Sequence, residues 1–383
     1  MSKERIGPVV LGTASFLPRR IVEQKFVESM LGLEPGFAEK HLGVKKRRSY
    51  RDPETLQLDS AFPYPEVKMA YLAARRAIKD ARVKREDITD LVAGFEVTSK
   101  IPGYFYGELA LSLPPDLDEV DMPRIPPNFG PPPGFLLARM LGLKHAMVQE
   151  VYGGCADLLN AISLAPRKER KALVIGSSAP SISLPFEKTT NLGVLVNQLL
   201  FGDGAAAMVL DYEGADLDKS SAHMVDFSRN PVWGPTFTDR ETGRLTEFGE
   251  IAFSDEEYPL PWYKLMKIDH QLVFNEGPKA LLEIIGAVLT NSGLKAEDIG
   301  RVLIHQASRP TCDAAIKLLG DELDISAEKI PTNYQRYGNT GLASPLILLD
   351  EERRRGRINE GDKIIMAGIG PGFRANAQLL EIA

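Results

Sequence analysis

A short stretch of this chain occurs twice, and that repetition constrains the fold more than any other feature. Lys84-Arg-Glu-Asp-Ile-Thr-Asp-Leu-Val-Ala93 matches Lys295-Ala-Glu-Asp-Ile-Gly-Arg-Val-Leu-Ile304, at an offset of 295 − 84 = 211 residues. Each copy follows a helical stretch, at 66–81 and 278–292, and each runs into an apolar strand. In the first helix Val67, Ala70, Tyr71, Ala74 and Ile78 make one apolar face at the helical period. Helix, turn, Glu-Asp-Ile and strand in the same order imply a duplicated α/β unit whose halves pack together. A length of 383 residues accommodates two such halves.

Composition narrows what those halves can do. The chain is 44% hydrophobic and 26% charged, as an ordinary globular protein is, and its net charge of -6 argues against general nucleic-acid binding. The two cysteines, Cys155 and Cys312, have no metal-type spacing, and the five histidines are scattered. No metal site and no disulfide framework are expected, so a reducing cytoplasm fits. The N-terminus enters only a short apolar run, Val9 to Leu11, without the long apolar core of a signal peptide. No window approaches the ~20 apolar residues of a membrane span, so no membrane insertion is expected.

The chemistry centres on Val151-Tyr-Gly-Gly-Cys-Ala-Asp-Leu-Leu-Asn160. An apolar run from Met147 is broken by Gly153 and Gly154; Cys155 follows, and 156–164 has helical spacing. A thiol at a helix N-terminus meets unpaired N–H groups and the positive end of the helix dipole. Both favour thiolate, so Cys155 is a candidate nucleophile beside the plainer reading of a buried structural cysteine. Cys312 falls within an expected helix, 311–319, and should be inert.

Further along, His305 ends the second-half strand in Leu303-Ile-His-Gln-Ala307, and Asn339 lies in Tyr337-Gly-Asn-Thr-Gly-Leu-Ala343 before a helical stretch at 343–349. Each has a structural alternative: a satisfied histidine, or an asparagine that tolerates left-handed dihedrals. Phe201-Gly-Asp-Gly204 reads as a structural turn into a strand, because no phosphate-binding lysine accompanies it. Together, cysteine, histidine and asparagine at element ends suit acyl transfer from a thioester, followed by a step in which neutral donors stabilise an enolate or oxyanion. Residues 99–134 are proline-rich, with aromatics at Tyr104, Phe105, Tyr106 and Phe129 and an acidic patch from Asp116 to Asp121. That composition excludes helix interior and central strand. The segment reads as an ordered lid or interface loop lining the chamber near Cys155.

In these motifs the chain resembles the β-ketoacyl-acyl-carrier-protein synthase III family. The matches run in the family's order along nearly the whole chain: Gly43-Val-Lys-Lys-Arg-Arg48, Cys155 at its strand-to-helix turn, Leu200-Phe-Gly-Asp-Gly-Ala-Ala206, His305-Gln-Ala307, Tyr337-Gly-Asn-Thr-Gly341 and a terminal glycine-rich turn. The resemblance implies a thiolase-like five-layered αβαβα fold of two duplicated halves, divided here at 1–212 and 213–383, and a homodimer. It implies that Cys155 carries the acyl group and that His305 and Asn339 stabilise the enolate formed when a malonyl group loses carbon dioxide. Acyl-CoA or acyl-carrier-protein thioesters would be the substrates, with no cofactor. Their phosphate end would lie near Lys45, Lys46, Arg47, Arg48 and Arg309.

The departures from the family pattern are specific. Its His-Gln-Ala-Asn reads His305-Gln-Ala-Ser308 here, and its nearby arginine is Pro310, for which Arg309 is the substitute. Its Gly-Gly-Gly-Phe reads Gly370-Pro-Gly-Phe373, and a proline cannot donate an oxyanion N–H. Either Gly372 donates, or the Cys155 N–H works largely alone. Two rival functions follow: acyl transfer to an alcohol or amine without carbon–carbon bond formation, and a non-catalytic heterodimer partner subunit.

Overall fold

The computed structural model describes residues 5–55, 57, 65–95, 132–151, 154–164, 170–182, 184, 188–190, 192–225, 237–238, 245–246, 270–370 and 374–383. The proline-rich stretch up to residue 131, with its aromatics and its acidic patch, lies outside them, as do Gly153, Pro371 and Gly372.

Nine strands build the main sheet. The first part of the chain supplies β1 (Val9–Phe16), β2 (Ile88–Phe95), β3 (Met147–Val151), β4 (Lys171–Ser178) and β5 (Gly204–Asp211). The second supplies β6 (Ser221–Val225), β7 (Arg301–Ile304), β8 (Lys363–Gly370) and β9 (Arg374–Ile382). The packing helices are α1 (Pro65–Ala81), α2 (Pro133–Leu141), α3 (Asp157–Leu164), α4 (His270–Ser292), α5 (Arg309–Leu323) and α6 (Ser344–Arg354).

The strand pairings repeat. β2 is parallel to β4, β4 antiparallel to β5, and β5 antiparallel to β1. In the same order and sense, β7 is parallel to β8, β8 antiparallel to β9, and β9 antiparallel to β6. The sets join where β1 pairs with β9, at Val9↔Glu381 and Val10↔Ile382. The repeated sequence has a physical reason. In both copies the aspartate of Glu-Asp-Ile closes a 3₁₀ turn, Arg85–Asp87 or Ala296–Asp298. Asp87 accepts the Lys84 N–H at 3.2 Å and Asp298 accepts the Lys295 N–H at 2.8 Å, which aims β2 and β7 into the sheet.

Three buried clusters divide the molecule into layers. One packs α1 and α2 on alternate residues of the first strands, such as Leu173 and Ile175. A second buries α3 and α6 between both strand sets, against Ala172 and Val174 on one side and Ile364 and Met366 on the other. The third covers the far face, Ile365 and Ala367, with α4 and α5. The order is therefore helices, strands, helices, strands, helices, with both faces of the strands apolar as a covered sheet requires. The expected five-layered αβαβα fold is the one found. No described helix is long and apolar enough to cross a membrane.

The largest difference from the sequence pattern in a helix start is at one helix. α4 begins at His270 and carries Pro278 inside it, not at its start. Gly277 packs on Ile369 at this point, so tertiary contact holds the helix across a residue that removes a backbone hydrogen bond.

Gly12 combines a bulge, a register shift between Val10 and Gly12, with a close approach to α1. A Cβ added there would lie 2.6 Å from Ala81 Cα and 2.8 Å from its Cβ. Gly12→Ala is expected to cost about 1–3 kcal/mol by forcing β1 and α1 apart. Urea unfolding checks this; an unchanged midpoint would show that the strand yields freely.

Candidate active site

Cys155 lies in the turn after β3, two residues before α3 begins, and is half-buried. The end of β8 presses on that turn. A Cβ built on Gly370 would lie 2.9 Å from the Ala156 N and 3.4 Å from the Cys155 N; one on Gly368 would lie 3.4 Å from the Cys155 O. These glycines leave room for the nucleophile's backbone to sit against the strand. Cys312 is buried under the His305 carbonyl in α5, and burial pushes its thiol up to about 12. It is a buried core cysteine.

Gly368 also faces His305: the same added Cβ would be 3.6 Å from the His305 Cβ. Cys155 and His305 therefore flank one glycine. His305 is 4% exposed, and burial pushes its imidazole down to about 4 against an opposing backbone hydrogen bond with Gly341. It is neutral at neutral pH. Its Nδ1 lies 2.7 Å from the Ser344 Oγ, which also accepts the Gln306 N–H at 3.1 Å. With the Ser344 hydroxyl donating to Nδ1, the ring proton sits on Nε2, which is then the donor end.

Asn339 belongs to the turn that holds Gly341. Its Oδ1 accepts the Gly341 N–H at 2.9 Å, so its Nδ2 is the donor end. The backbone is anchored by Asn339 N–H to Leu200 O and Gly202 N–H to Asn339 O, both at 2.9 Å. The Phe201-Gly-Asp-Gly turn is thus structural, as its sequence suggests, and what it supports is the backbone of Asn339. Positive φ in this turn falls on Gly338 and Gly341, so left-handed geometry does not account for the asparagine.

The basic segment divides. Arg47 is 2% exposed and donates from Nη1 to the carbonyls of Gln198 and Phe201, the latter at 2.9 Å. Burial pushes its guanidinium down to about 10, opposed by Asp203, so it stays charged. The expectation that Arg47 meets a substrate phosphate is corrected: its donors bind the loop that holds Asn339. Arg48 is half-buried and donates to Pro18 and Arg19 carbonyls at 3.3 and 3.1 Å. Lys45 is exposed beside Glu39 at 3.0 Å, and Lys46 is half-buried. Arg309 is brought against this segment, packing on Gly43 and donating to the Lys40 carbonyl.

Sequence reasoning missed Ser344, Asp157, Arg374 and Asn376. The Arg374 guanidinium pairs with Asp157 at 2.8 Å, and Asn376 Nδ2 donates to the Ala156 carbonyl at 3.0 Å. Asp157 and Asn376 carried no signal, because their partners are 217 and 220 residues away.

Comparison with known proteins agrees with this arrangement. The C-terminal part of 3-oxoacyl-[acyl-carrier-protein] synthase III, as a family, matches residues 289–382. β-Ketoacyl-[acyl-carrier-protein] synthase III of Clostridium perfringens strain SM101 is 25% identical, over 97% of this chain and 98% of its own. The priming β-ketosynthase of the R1128 polyketide pathway superposes with a TM-score of 0.71 at 22% identity, covering 100% of this chain and 98% of that one. A Cys-to-Ser variant of Xanthomonas campestris OleA, with bound lauric acid and lauroyl-CoA, gives 0.69 at 20% identity, covering 97% and 98%. The match runs the full length of the chain, and the five layers are the fold of these structures. Over nearly its whole length the chain is similar to β-ketoacyl-acyl-carrier-protein synthase III proteins, and residues 289–382 match that family's C-terminal part.

Two outcomes follow from this geometry. A histidine held near pKa 4 in the folded chain and 6.5 in the unfolded one binds its proton preferentially after unfolding. Its stabilising contribution is full above pH 6.5 and is lost as pH falls toward 4, on the order of 2 kcal/mol at pH 5. Urea midpoints at pH 7.5 and 5 should therefore fall further for the wild type than for His305→Gln; equal falls would mean His305 is not held neutral. Separately, Arg47→Met should cost about 3–5 kcal/mol by stranding Asp203 and two buried carbonyls, while Lys45→Ala should stay within about 0.5 kcal/mol. Thermal melts decide it, and an unaltered Arg47→Met would return that residue to the surface mouth.

Proposed function

We propose that this protein is an acyltransferase that builds a carbon–carbon bond in two steps. The Cys155 thiolate attacks the carbonyl of an acyl-thioester, the carrier thiol leaves, and the acyl group stays on Cys155. A malonyl-type thioester then loses carbon dioxide; the resulting enolate attacks the acyl carbonyl and the Cys155 thiolate departs. Enolate charge develops on oxygen, where the His305 Nε2–H and Asn339 Nδ2 donors act, while the Cys155 N–H serves the oxyanion hole, either with Gly372 as second donor or largely alone.

The observation that carries this reading is the buried, neutral His305, set across Gly368 from Cys155 and hydrogen-bonded to the backbone of Gly341 in the Asn339 turn. A neutral imidazole donates to an enolate without offering it a competing strong acid. The names of the relatives favour condensation over both rivals, and the lauroyl-CoA bound to OleA supports a coenzyme A thioester as donor. Acyl carrier protein is the second proposed carrier. Its phosphopantetheine would enter by Lys45, Lys46, Arg48 and Arg309. The reaction needs no cofactor and no metal, because the thioester is already activated. A cytoplasmic homodimer is the proposed assembly, supported by β3 at the end of the described sheet with exposed Met147 and Phe135 beside it.

Intact-protein mass spectrometry after incubation with acyl-thioesters tests the first step: a single adduct on Cys155 is expected, absent in Cys155→Ala. His305→Ala and Asn339→Ala should retain acylation and lose ~10²–10³ in condensation rate. An adduct on Cys312, or full condensation in either variant, would overturn the assignment.

A further inference from the structure

The two arms of the β8–β9 hairpin hold the nucleophile turn from both sides. Gly370, register-paired with Arg374, lies against the amides of Cys155 and Ala156. On the other arm, Arg374 Nη1 binds the Asp157 carboxylate at 2.8 Å, and two residues on Asn376 Nδ2 binds the Ala156 carbonyl at 3.0 Å. The Asn376 amide is itself oriented, since its Oδ1 faces the His223 Nδ1 at 2.9 Å. Three consecutive residues of the turn are therefore tied to one hairpin, and one tie is an ion pair.

That ion pair bears on the thiol. Asp157 opens α3 and is 8% exposed, so its charge is poorly screened by water. A carboxylate this close to Cys155 opposes the thiolate that the helix N-terminus favours. Burial pushes the Asp157 carboxyl above its ordinary value, and Arg374 opposes that shift. Among the described residues, the other titratable groups on the elements around this turn are His305, which is neutral, His223, which stands behind Asn376, and Glu150 of β3, which accepts the Gly134 N–H at 2.6 Å.

We infer that Arg374 and Asp157 are positioning residues for the nucleophile: Arg374 balances the Asp157 charge, so that the Cys155 thiolate forms near neutral pH, and it clamps the terminal hairpin onto the turn. The inference rests on Cys155 as the reactive cysteine, but its readout does not require turnover. The pH dependence of Cys155 alkylation by iodoacetamide, mapped by mass spectrometry, reports the thiol alone. A neighbouring unit charge moves a pKa by about 1–3 units. Arg374→Gln should therefore move the alkylation midpoint upward by about one unit or more. Arg374→Lys should stay near the wild type, and Asp157→Asn, which leaves Arg374 unopposed, should move the midpoint downward. Asp157→Asn with Arg374→Gln should return it close to the wild type. Circular dichroism verifies folding; if Arg374→Gln fails to fold, the downward shift in Asp157→Asn remains decisive. An unmoved midpoint in Asp157→Asn, or a double variant as displaced as Arg374→Gln, would overturn the inference. Failure of acylation with these midpoints as expected would count against the proposed reaction and leave the charge balance standing.

Discussion

Everything chemical in this molecule depends on how closely β8 approaches the turn that carries Cys155. Gly370 leaves no room for a side chain over the Ala156 amide, and Gly368 has the nucleophile's carbonyl on one side and His305 on the other. Backbone packing of that kind fixes position without long side chains whose rotamers would have to be ordered. The cysteine gets its setting from the second half of the chain, although its own strand and helix come from the first. Neither half could supply the site alone.

Much of the fold was legible because duplication leaves a trace that survives in sequence. The Glu-Asp-Ile stretches are recognisable since an aspartate is needed to close each turn before β2 and β7. Apolar periodicity gave α1 to within a residue. It misjudged α4, where Pro278 looks like a helix start and is carried in the interior by packing that only the tertiary structure contains. Local patterns report local preferences, and long-range contact can overrule them.

The site was legible as residue types at element ends, and less so as an arrangement. Cys155, His305 and the Asn339 turn were found because glycines and strand ends mark the places where backbone turns. The misplacement of Arg47 has a physical origin. A basic run reads as a solvated or ligand-facing surface, yet in a strand alternate residues point to opposite faces, and Arg47 is the inward one of Lys46–Arg48. Its partners, the carbonyls of Gln198 and Phe201, lie more than a hundred residues away and are invisible to any pattern of charge. Separations of 39 and 217 residues hid Ser344 from His305 and Arg374 from Asp157.

The repeated topology makes two parts of the site equivalents. α3 leads into β4 as α6 leads into β8, and both helices share the middle layer. Cys155 stands just before the first helix and Asn339 just before the second. By the repeated strand order they occupy corresponding positions, each ahead of a middle-layer helix. A pair of identical halves would present identical groups at both turns and could not separate a nucleophile from a hydrogen-bond donor. Joining the halves in one polypeptide lifted that symmetry, letting one turn keep a thiol and the other an amide.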